Sequence, residues 1–415
     1  MLRRGQKLPT EKGGVVEVAC FLASGGQGDV YRAKGERAKD LILKVFRDPG
    51  LDLLQRTEKL VHCDIKNLGS AVALPFDRVL QGRMVATVAP FVQGRTLESW
   101  LLESEMAGDL QTRLVLALGL VTAVEAFHKI GWTPGDLGSD QFIVRDTPTH
   151  SEAHLVDLDS FMAPGLPAPR TMGKPPYFSP EMRSAWLAGK AYPISRESDL
   201  YSLGVLLHEI LLLRHPTAGH VLDTQPERYH QVMMNGWPDD PLSGQQKVSG
   251  EPVGFPVALL EPNTQRILRL SLGTKPNNRP SAGEIKAVLA HALGKVCPCP
   301  TCKCSIMPHE NLNRCPYPAC GVTYGHPRLQ GAVVNLLLDR PQMVLGREQL
   351  PSAQISRRHL EIRRMGPGVE VRNTGRNVTY YRRGSSWEVL PNDISVPIFV
   401  GDHLSVGGLE LEVTN

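Results

Sequence analysis

Three glycines near the start of the chain lie where a phosphate group could be bound. Gly25, Gly26 and Gly28 form a glycine-rich turn between two segments that are predicted to be strands. Because glycine has no Cβ, its backbone N–H groups can approach a triphosphate closely. Most glycine-rich hairpins are simple turns, so the interpretation depends on the residues that follow.

A lysine and a glutamate come next along the chain. Lys44 ends a predicted apolar strand 16 residues after Gly28, and Glu58 lies in the helix that is predicted to follow. An ammonium group in this place can reach the α- and β-phosphates of a nucleotide, and a carboxylate on the helix can be its ion-pair partner. A lone lysine on a strand is usually just solvated, so a phosphate-binding role for this pair depends on the motifs that follow along the chain.

Two carboxylates and an amide complete the set. Asp136 lies five residues before Gln141, which precedes a β-rich run, and Asp157 ends another apolar run. Phosphoryl transfer uses a carboxylate to orient or deprotonate the attacking hydroxyl, and carboxylate and amide oxygens to hold Mg²⁺ between phosphates. The residue types and their order match these requirements.

The order of these motifs resembles that of the protein kinase superfamily over about residues 15–292. Three later segments are similar, in order, to the end of the kinase activation loop, the start of a buried helix and a late arginine: Gly173–Glu181, Ser198–Gly204 and Arg279–Ser281. The resemblance implies that Glu181 pairs with Arg279 and that Asp199 braces the catalytic loop from below.

Carried over residue by residue, the resemblance implies a serine/threonine protein kinase with ATP and Mg²⁺ as cofactors. Lys44 would hold the α- and β-phosphates, and Glu58 would position it. Asp136 would be the base, and Gln141 with Asp157 would hold Mg²⁺.

Several positions depart from the kinase pattern. The usual His-Arg pair before the base is Pro134-Gly135, and the usual lysine two residues after the base is Gly138. The metal-binding asparagine is Gln141, and the usual Asp-Phe-Gly is Asp157-Leu158-Asp159. These variants look like those of an atypical bacterial group of eukaryotic-type kinases. They leave a second hypothesis open, a catalytically inactive pseudokinase scaffold that acts through phosphopeptide binding.

Six of the eight cysteines fall within 24 residues, a clustering that is typical of a metal site and not of a disulfide framework. The spacing is near that of a zinc ribbon. The first choice of Zn²⁺ ligands is Cys299, Cys302, Cys315 and Cys320. Cys297 and Cys304 are then spare, and His309 is an alternative ligand.

The C-terminal segment carries arginines in predicted loops between short β-rich runs. Its motifs are Leu345-Gly346-Arg347, Ile355–Leu360, Asn373–Tyr380 and Val400–Leu404. In this order they resemble the forkhead-associated domain, a phosphothreonine reader, over about residues 328–415. Taken one by one, the same arginines could simply be solvated.

The second resemblance implies a phosphopeptide site, since guanidinium groups and a hydroxyl can bind a phosphate dianion through charge-assisted hydrogen bonds. Arg347 and Ser356 would take the phosphate, with Arg357 and Arg376 beside it. Asn377 would bond the peptide backbone. His359 would brace the loops from beneath.

Composition limits the other readings. Hydrophobic residues make up 41% of the chain and charged residues 21%, as in ordinary globular proteins. The net charge of +4 is too small to indicate a general nucleic-acid or membrane partner. We see no apolar run of membrane-spanning length and no secretion signal, and we therefore expect a cytoplasmic protein.

The elements that must position these residues fall into three parts. Residues 15–92 read as strands with one helix, and residues 97–295 as an α-rich lobe with a buried helix at Leu114–Val124. Residues 328–415 read as a small all-β module.

The predicted fold class is therefore multidomain α+β. It comprises a two-lobed kinase fold (1–295), a zinc-ribbon-like linker (296–326) and a forkhead-associated β-sandwich (327–415). The expected partners are phosphothreonine-containing proteins. By analogy with tellurium-resistance-type gene sets, they could include a von Willebrand-type protein and a metal-dependent phosphatase.

Overall fold

The computed structural model describes residues 1–36, 39–63, 71–103, 108–147, 150–166, 173–218, 232–242 and 254–414. The chain divides into two compact units. Unit 1 comprises Met1–Gly108, Thr112–Val253 and Arg266–Leu289, and unit 2 comprises Asp109–Gln111, Gly254–Gln265 and Ala290–Asn415. The cysteine-rich segment and the C-terminal β-strands therefore fall in one unit, whereas the sequence analysis treats them as two domains.

Unit 1 begins with a six-stranded antiparallel sheet in the order β1-β2-β3-β4-β6-β5. Its strands are β1 (Lys7–Pro9), β2 (Val15–Ser24), β3 (Gly28–Lys34), β4 (Asp40–Phe46), β5 (Asp77–Gln81) and β6 (Met84–Pro90). Helix α1 (Leu51–Val61) connects to β4. Alternating side chains such as Tyr31, Leu41 and Leu43 form a core on one face of the sheet, which leaves the other face to line a cavity.

The rest of unit 1 is mainly helical. A three-stranded sheet, in the order β7-β8-β9, lies among the helices. The elements are β7 (Arg95–Thr96), α2 (Leu97–Glu103), α3 (Leu110–Lys129), β8 (Phe142–Asp146), β9 (Ser151–Leu155), α4 (Pro180–Leu187), α5 (Arg196–Leu212), α6 (Pro262–Ser271) and α7 (Ala282–Lys295). The ends of α3, α6 and α7 extend into unit 2.

Helix α3 is longer than the predicted Leu114–Val124. The apolar run understated it because polar residues at both ends, such as Gln111 and Lys129, continue the helix. In the described part of the chain it is the one helix whose length and composition would suffice to cross a membrane. Leu116, Leu120 and Phe127 are fully buried, as in the core helix of a soluble protein.

Helix α5 begins with a capping box. The Ser195 side chain accepts from the backbone N–H of Ser198, and the Ser198 hydroxyl accepts from that of Ser195. This cap satisfies two of the N–H groups that a helix start leaves free, and it fixes Asp199 in the first turn. The helix ends at Leu213, which adopts the left-handed conformation.

A buried ion pair joins distant parts of unit 1. The Arg279 guanidinium donates to both oxygens of Glu181, at 2.6 and 2.9 Å, and its side chain is fully buried. Such a two-point pair adds geometric specificity to the attraction. The structure thus places Glu181 and Arg279 together, as the kinase resemblance implies.

Unit 2 contains a hairpin and two antiparallel sheets, whose orders are β13-β12-β21-β20-β17-β18 and β14-β15-β16-β19. The hairpin is β10 (Cys297–Pro298) and β11 (Ser305–Ile306). The strands of the sheets are β12 (Arg328–Gln330), β13 (Asn335–Leu337), β14 (Gln342–Leu345), β15 (Leu360–Met365), β16 (Gly368–Asn373), β17 (Thr379–Arg383), β18 (Ser386–Leu390), β19 (Ser395–Phe399), β20 (His403–Val406) and β21 (Leu409–Thr414). Both sheets contribute to one core, which includes Leu360, Val371, Leu404 and Val413. The mixed α+β composition predicted from the sequence is confirmed.

Candidate functional site

Unit 1 contains a cavity of about 410 Å³ with apolar walls and one polar end. Its walls include Leu22, Ala23, Val30, Ile42, Ala89, Ile143, Val156 and Leu158. Its polar end is formed by Lys44, Asp140, Asp157 and Asp159. Binding sites for small molecules commonly combine apolar walls with a few convergent polar groups. A ligand with a flat apolar ring system and a polar tail matches this distribution.

The glycine-rich turn lies between β2 and β3, and its three glycines do different things. Gly28 lies so close to β4 that a Cβ there would come within 2.2 Å of the Val45 carbonyl oxygen, so only glycine fits. Gly25 donates to the carbonyl of Gly28 at 2.9 Å, which closes the turn. Gly26 has open space around it and lines a second cavity of about 230 Å³ in unit 1.

Lys44 lies on β4, paired across the sheet with Val30 and Thr87. The period of two along β4 turns Ile42 and Lys44 toward the cavity and the alternate Leu41 and Leu43 toward the sheet core. The sequence analysis put Lys44 at the end of an apolar strand; in the structure β4 continues to Phe46, and the alternation along it directs Lys44 into the cavity.

The Lys44 ammonium forms ion pairs with Asp157 and Asp159. Its side chain is only 12% exposed. Burial lowers the pKa of Lys44, but the two carboxylates outweigh this effect and hold the pKa above its ordinary value. Lys44 therefore stays charged throughout the physiological range.

The predicted role of Glu58 does not match this structure. Glu58 lies on the exposed face of α1, and the buried residues of the helix are Arg56, Thr57, Leu60 and Val61. Arg56 donates to the backbone carbonyl of Phe161. The register of α1 therefore turns an arginine inward where the resemblance implied a glutamate.

Asp159 occupies the place expected of Glu58 as a partner of Lys44. Its side chain is 5% exposed. Burial and the neighbouring Asp157 raise the pKa of Asp159 to about 7, although Lys44 acts in the opposite direction. Sequence reasoning noted the unusual Asp157-Leu158-Asp159 but gave its second aspartate no role. The replacement of the usual glycine by a carboxylate was the available signal.

Asp157 lines the polar end of the cavity, and Gln141 is buried against the backbone of Val156 and Asp157. Asp157 has a φ of 57°, a left-handed conformation that non-glycine residues seldom adopt outside special sites. The Gln141 amide, oriented to satisfy its neighbours, donates to the carbonyls of Val156 and Asp157 at 3.2 Å. The Gln141 amide oxygen and the Asp157 carboxylate are oxygen donors of the kind that Mg²⁺ prefers, so the donor set fits this ion.

The backbone before Asp136 is fixed by Asp199. The Gly135 N–H donates to Asp199 Oδ1 at 2.9 Å, and His128 Nε2 lies 3.1 Å from Asp199 Oδ2. Gly135 has a φ of 78°, which glycine adopts without strain. Asp199 therefore braces the loop that carries Asp136, in the way that the resemblance implies.

Asp136 has the electrostatic properties of a base. Burial, followed by the charges of Asp140 and Asp157, raises its pKa to about 6, against a hydrogen bond from the Gly173 N–H and the charge of Lys174. A carboxylate with such a pKa is ionised at pH 7 and is a better proton acceptor than an ordinary aspartate. The sequence analysis gave no role to Asp140 or Lys174.

The structure brings together the four thiols chosen from the spacing. The sulfurs of Cys299, Cys302, Cys315 and Cys320 all lie within 4.8 Å of one another. Two of their separations are 4.0 Å, for Cys299 and Cys320, and 3.8 Å, for Cys302 and Cys315. Four sulfurs at about 2.3 Å from a tetrahedral Zn²⁺ would be about 3.8 Å apart. The four cysteines could therefore hold zinc.

The two spare cysteines and the alternative ligand His309 lie outside this group. Cys297 is buried in β10, and Cys304 is exposed. Among the described residues, neither of these cysteines nor His309 belongs to the group of ligand atoms that approach one another. Although burial raises it, the Tyr324 hydroxyl and the N–H groups of Cys302 and Thr301 bring the pKa of Cys299 down to about 6. The thiolate is the form of cysteine that binds a metal ion, and a lowered pKa favours it.

Two loops of unit 2 bring the predicted phosphopeptide residues together. The Arg347 N–H donates to the Ser356 carbonyl at 3.2 Å, and the Arg376 N–H donates to Ser356 Oγ at 3.3 Å. The Asn377 amide donates to the Gln354 carbonyl at 2.5 Å. The residues that remain exposed to solvent are Arg347, Arg357, Arg376 and Asn377.

His359 lies beneath these loops. It is fully buried, its Nδ1 accepts from the Ser356 N–H at 3.1 Å, and its Nε2 lies 3.2 Å from Thr379 Oγ1. A Cβ on Gly375 would come within 2.4 Å of the His359 ring, so that position needs glycine. His359 thus has the bracing position that the resemblance assigns to it.

Comparison with known proteins supports the resemblance to protein kinases. No protein-family model matches the chain. A probable serine/threonine-protein kinase of Streptomyces coelicolor is 25% identical over 227 residues, which are 51% of this chain and 32% of that protein. Serine/threonine-protein kinase PknD of Chlamydia abortus is 26% identical over 48% of this chain and 24% of its own length. PknL of Mycobacterium tuberculosis is 26% identical over 49% of this chain and 50% of its own length.

About half of the chain is therefore homologous to serine/threonine-protein kinases. The matched region spans between a quarter and a half of the length of these relatives.

We predict that the full chain, purified without added metal, contains about one zinc ion. Cys302→Ser and Cys320→Ser should each lower this content, because a closed four-thiolate site supplies folding free energy that a short segment otherwise lacks. Cys304→Ser is the matched control and should leave the zinc content unchanged. Elemental analysis decides the matter, and a content near zero with all six clustered thiols free contradicts the site.

Proposed function

We propose that the protein is a serine/threonine protein kinase of the cytoplasm that uses ATP and Mg²⁺. The observation that carries the proposal is the convergence of a buried lysine and two carboxylates at the polar end of one cavity, with the Gln141 amide bonded to the backbone beside them. The homology of half of the chain to serine/threonine-protein kinases supports it.

The cavity would hold the nucleotide with its base between the apolar walls and its phosphates toward Lys44. The Lys44 ammonium is a compact point charge at this end of the cavity, and it would exchange part of its pairing with Asp157 and Asp159 for the phosphates. Asp157 and Gln141 would hold Mg²⁺, which neutralises charge on the phosphates when it is bound. Gly28 keeps the glycine-rich turn close to β4 and hence over the same end.

Asp136 would receive the proton of the acceptor hydroxyl. The oxygen of a serine or threonine forms a bond to the γ-phosphorus, and the bond from that phosphorus to the bridging oxygen of ADP breaks. Asp199 and the Gly135 N–H keep the Asp136 loop in place during the reaction. The pKa of about 6 suits a base that works near neutral pH.

We further propose that the C-terminal loops bind phosphothreonine in partner proteins. What supports this is the grouping of exposed arginines around Ser356, held by backbone hydrogen bonds and by the buried His359. Guanidinium groups bind phosphate oxygens through two parallel hydrogen bonds, which fixes geometry as well as charge. Recruitment of a phosphorylated protein would then bring substrates or regulators to the kinase.

We predict that the protein transfers phosphate from MgATP to serine or threonine, at least on itself. Asp136→Asn should lower kcat by about 10²–10⁴-fold and leave ATP affinity nearly unchanged, because the base touches the acceptor and not the nucleotide. Asp40→Asn, which alters an exposed ion pair with Arg32, is the control.

The pH dependence follows from the same carboxylate. The base acts in its ionised form and its pKa is raised, so kcat/KM should fall as the pH falls through about 6. Transfer of phosphate from radiolabelled ATP measures both kcat and kcat/KM. If the wild type incorporates no phosphate with Mg²⁺ or Mn²⁺, the inactive pseudokinase scaffold is the correct alternative.

We predict that the full chain binds phosphothreonine peptides more tightly than their unphosphorylated twins. Arg347→Ala should weaken this binding by roughly tenfold or more, since a hydrogen bond to a charged group contributes about 1.5–3 kcal/mol. Arg358→Ala removes an equal charge from the same loop and should have little effect beyond salt-dependent attraction. Calorimetric titration measures these affinities, and equal affinity for the phosphorylated and unphosphorylated peptides refutes phosphothreonine binding.

A further inference from the structure

Position 138 has lost the lysine that the kinase pattern places beside the base. A Cβ on Gly138 would lie 3.0 Å from Asp140 Oδ1 and 3.4 Å from the Tyr177 ring. Tyr177 cannot easily move aside, because its hydroxyl is 2.9 Å from both Ser139 Oγ and Glu209 Oε2. The packing at Gly138 therefore leaves little room for a side chain beside Asp140 and Tyr177.

Lys174 brings a positive charge to the same place from another segment. Its Nζ lies 3.0 Å from Asp140 Oδ2, and Asp140 lines the nucleotide cavity. The preceding residue, Gly173, donates its N–H to the Asp136 carboxylate. Lys174 is thus held between the cavity and the base.

Glycine at 173 makes this approach possible. Its φ is 45°, and a Cβ there would come within 2.8 Å of the Phe178 ring and 3.4 Å of Asp136 Oδ1. The positive φ and the close Phe178 ring favour glycine here, in the conformation that brings the backbone N–H to the Asp136 carboxylate. The same close passage delivers the next side chain, Lys174, to Asp140.

The charges around the transfer site call for such a cation. Asp136, Asp140 and Asp157 are close enough for the last two to raise the pKa of the first. A triphosphate adds further negative charge, and Lys44 is already shared between Asp157 and Asp159. Lys174 is half exposed, so its ammonium is free to turn from Asp140 toward a bound phosphate.

We propose that Lys174 is the cation that binds the transferred phosphoryl group, in place of the lysine missing at position 138. The proposal rests on the proposed kinase function. As the acceptor oxygen bonds to the γ-phosphorus, the bond to the bridging oxygen breaks, its electron pair leaves with ADP and the hydroxyl proton goes to Asp136. Lys174 exchanges no atom in this step. It stabilises the negative charge on the phosphoryl oxygens, as preorganised cations do in phosphoryl transfer.

The test is steady-state kinetics of the full chain with MgATP. Lys174→Met should lower kcat by about 10²-fold or more and change the KM for ATP little, because the contact strengthens during transfer. Lys174→Arg keeps the charge and should recover part of the rate. Lys190→Met, at an exposed position after α4, is the matched control and should behave as the wild type.

A second variant separates catalysis from a merely structural ion pair. Asp140→Asn breaks the same ion pair but keeps the cation, so a structural role predicts equal losses for Asp140→Asn and Lys174→Met. We expect the loss for Lys174→Met to be at least tenfold the larger. If the wild type transfers phosphate and Lys174→Met matches it, this proposal fails and the kinase assignment stands. If the wild type transfers none, both fail.

Discussion

The ion pairs of Lys44 with Asp157 and Asp159 are the constraint on which the polar end of the cavity depends. A buried ammonium without a partner would be very costly, so the sheet that carries Lys44 and the segment after β9 must stay in register. The segment meets this demand with a left-handed backbone at Asp157, which is unfavourable by itself. The ion pairs therefore fix the backbone conformation at Asp157, and the Gln141 amide is hydrogen-bonded to that same backbone.

The same site carries more carboxylates than cations. Asp136 and Asp159 have raised pKa values, of about 6 and about 7, because burial and neighbouring aspartates act on both. A region with this excess of negative charge favours a divalent cation and positively charged side chains. Lys174 and the expected Mg²⁺ are the two groups that would offset this negative charge.

The sequence predicts those features that depend on local order and spacing. The order of the motifs and the kinase resemblance placed Lys44 near the phosphates and Asp199 under the catalytic loop, and the cysteine spacing selected the four thiols that lie together. Each follows from residues close in sequence or from a motif of fixed length. The division into compact units could not be predicted in this way, since it depends on packing between distant segments.

The sequence failed where a partner comes from another element. Glu58 was chosen because a helix follows β4, but the register of α1 turns Arg56 inward and leaves Glu58 exposed. Asp159 and Lys174 were missed because each replaces a function that the family pattern assigns to a different position. Three-dimensional packing decides such exchanges, and no spacing rule within one segment can reveal them.

The most direct test of the account compares two carboxylate variants through kcat/KM for MgATP. Asp159→Asn removes a buried partner of Lys44, and Glu58→Gln removes only an exposed charge. We expect Asp159→Asn to lower kcat/KM by roughly tenfold or more, the value of a charge-assisted hydrogen bond, and Glu58→Gln to leave it within about twofold. The reverse pattern, a loss for Glu58→Gln with Asp159→Asn near the wild type, would contradict the assignment of Asp159 as the residue that positions Lys44.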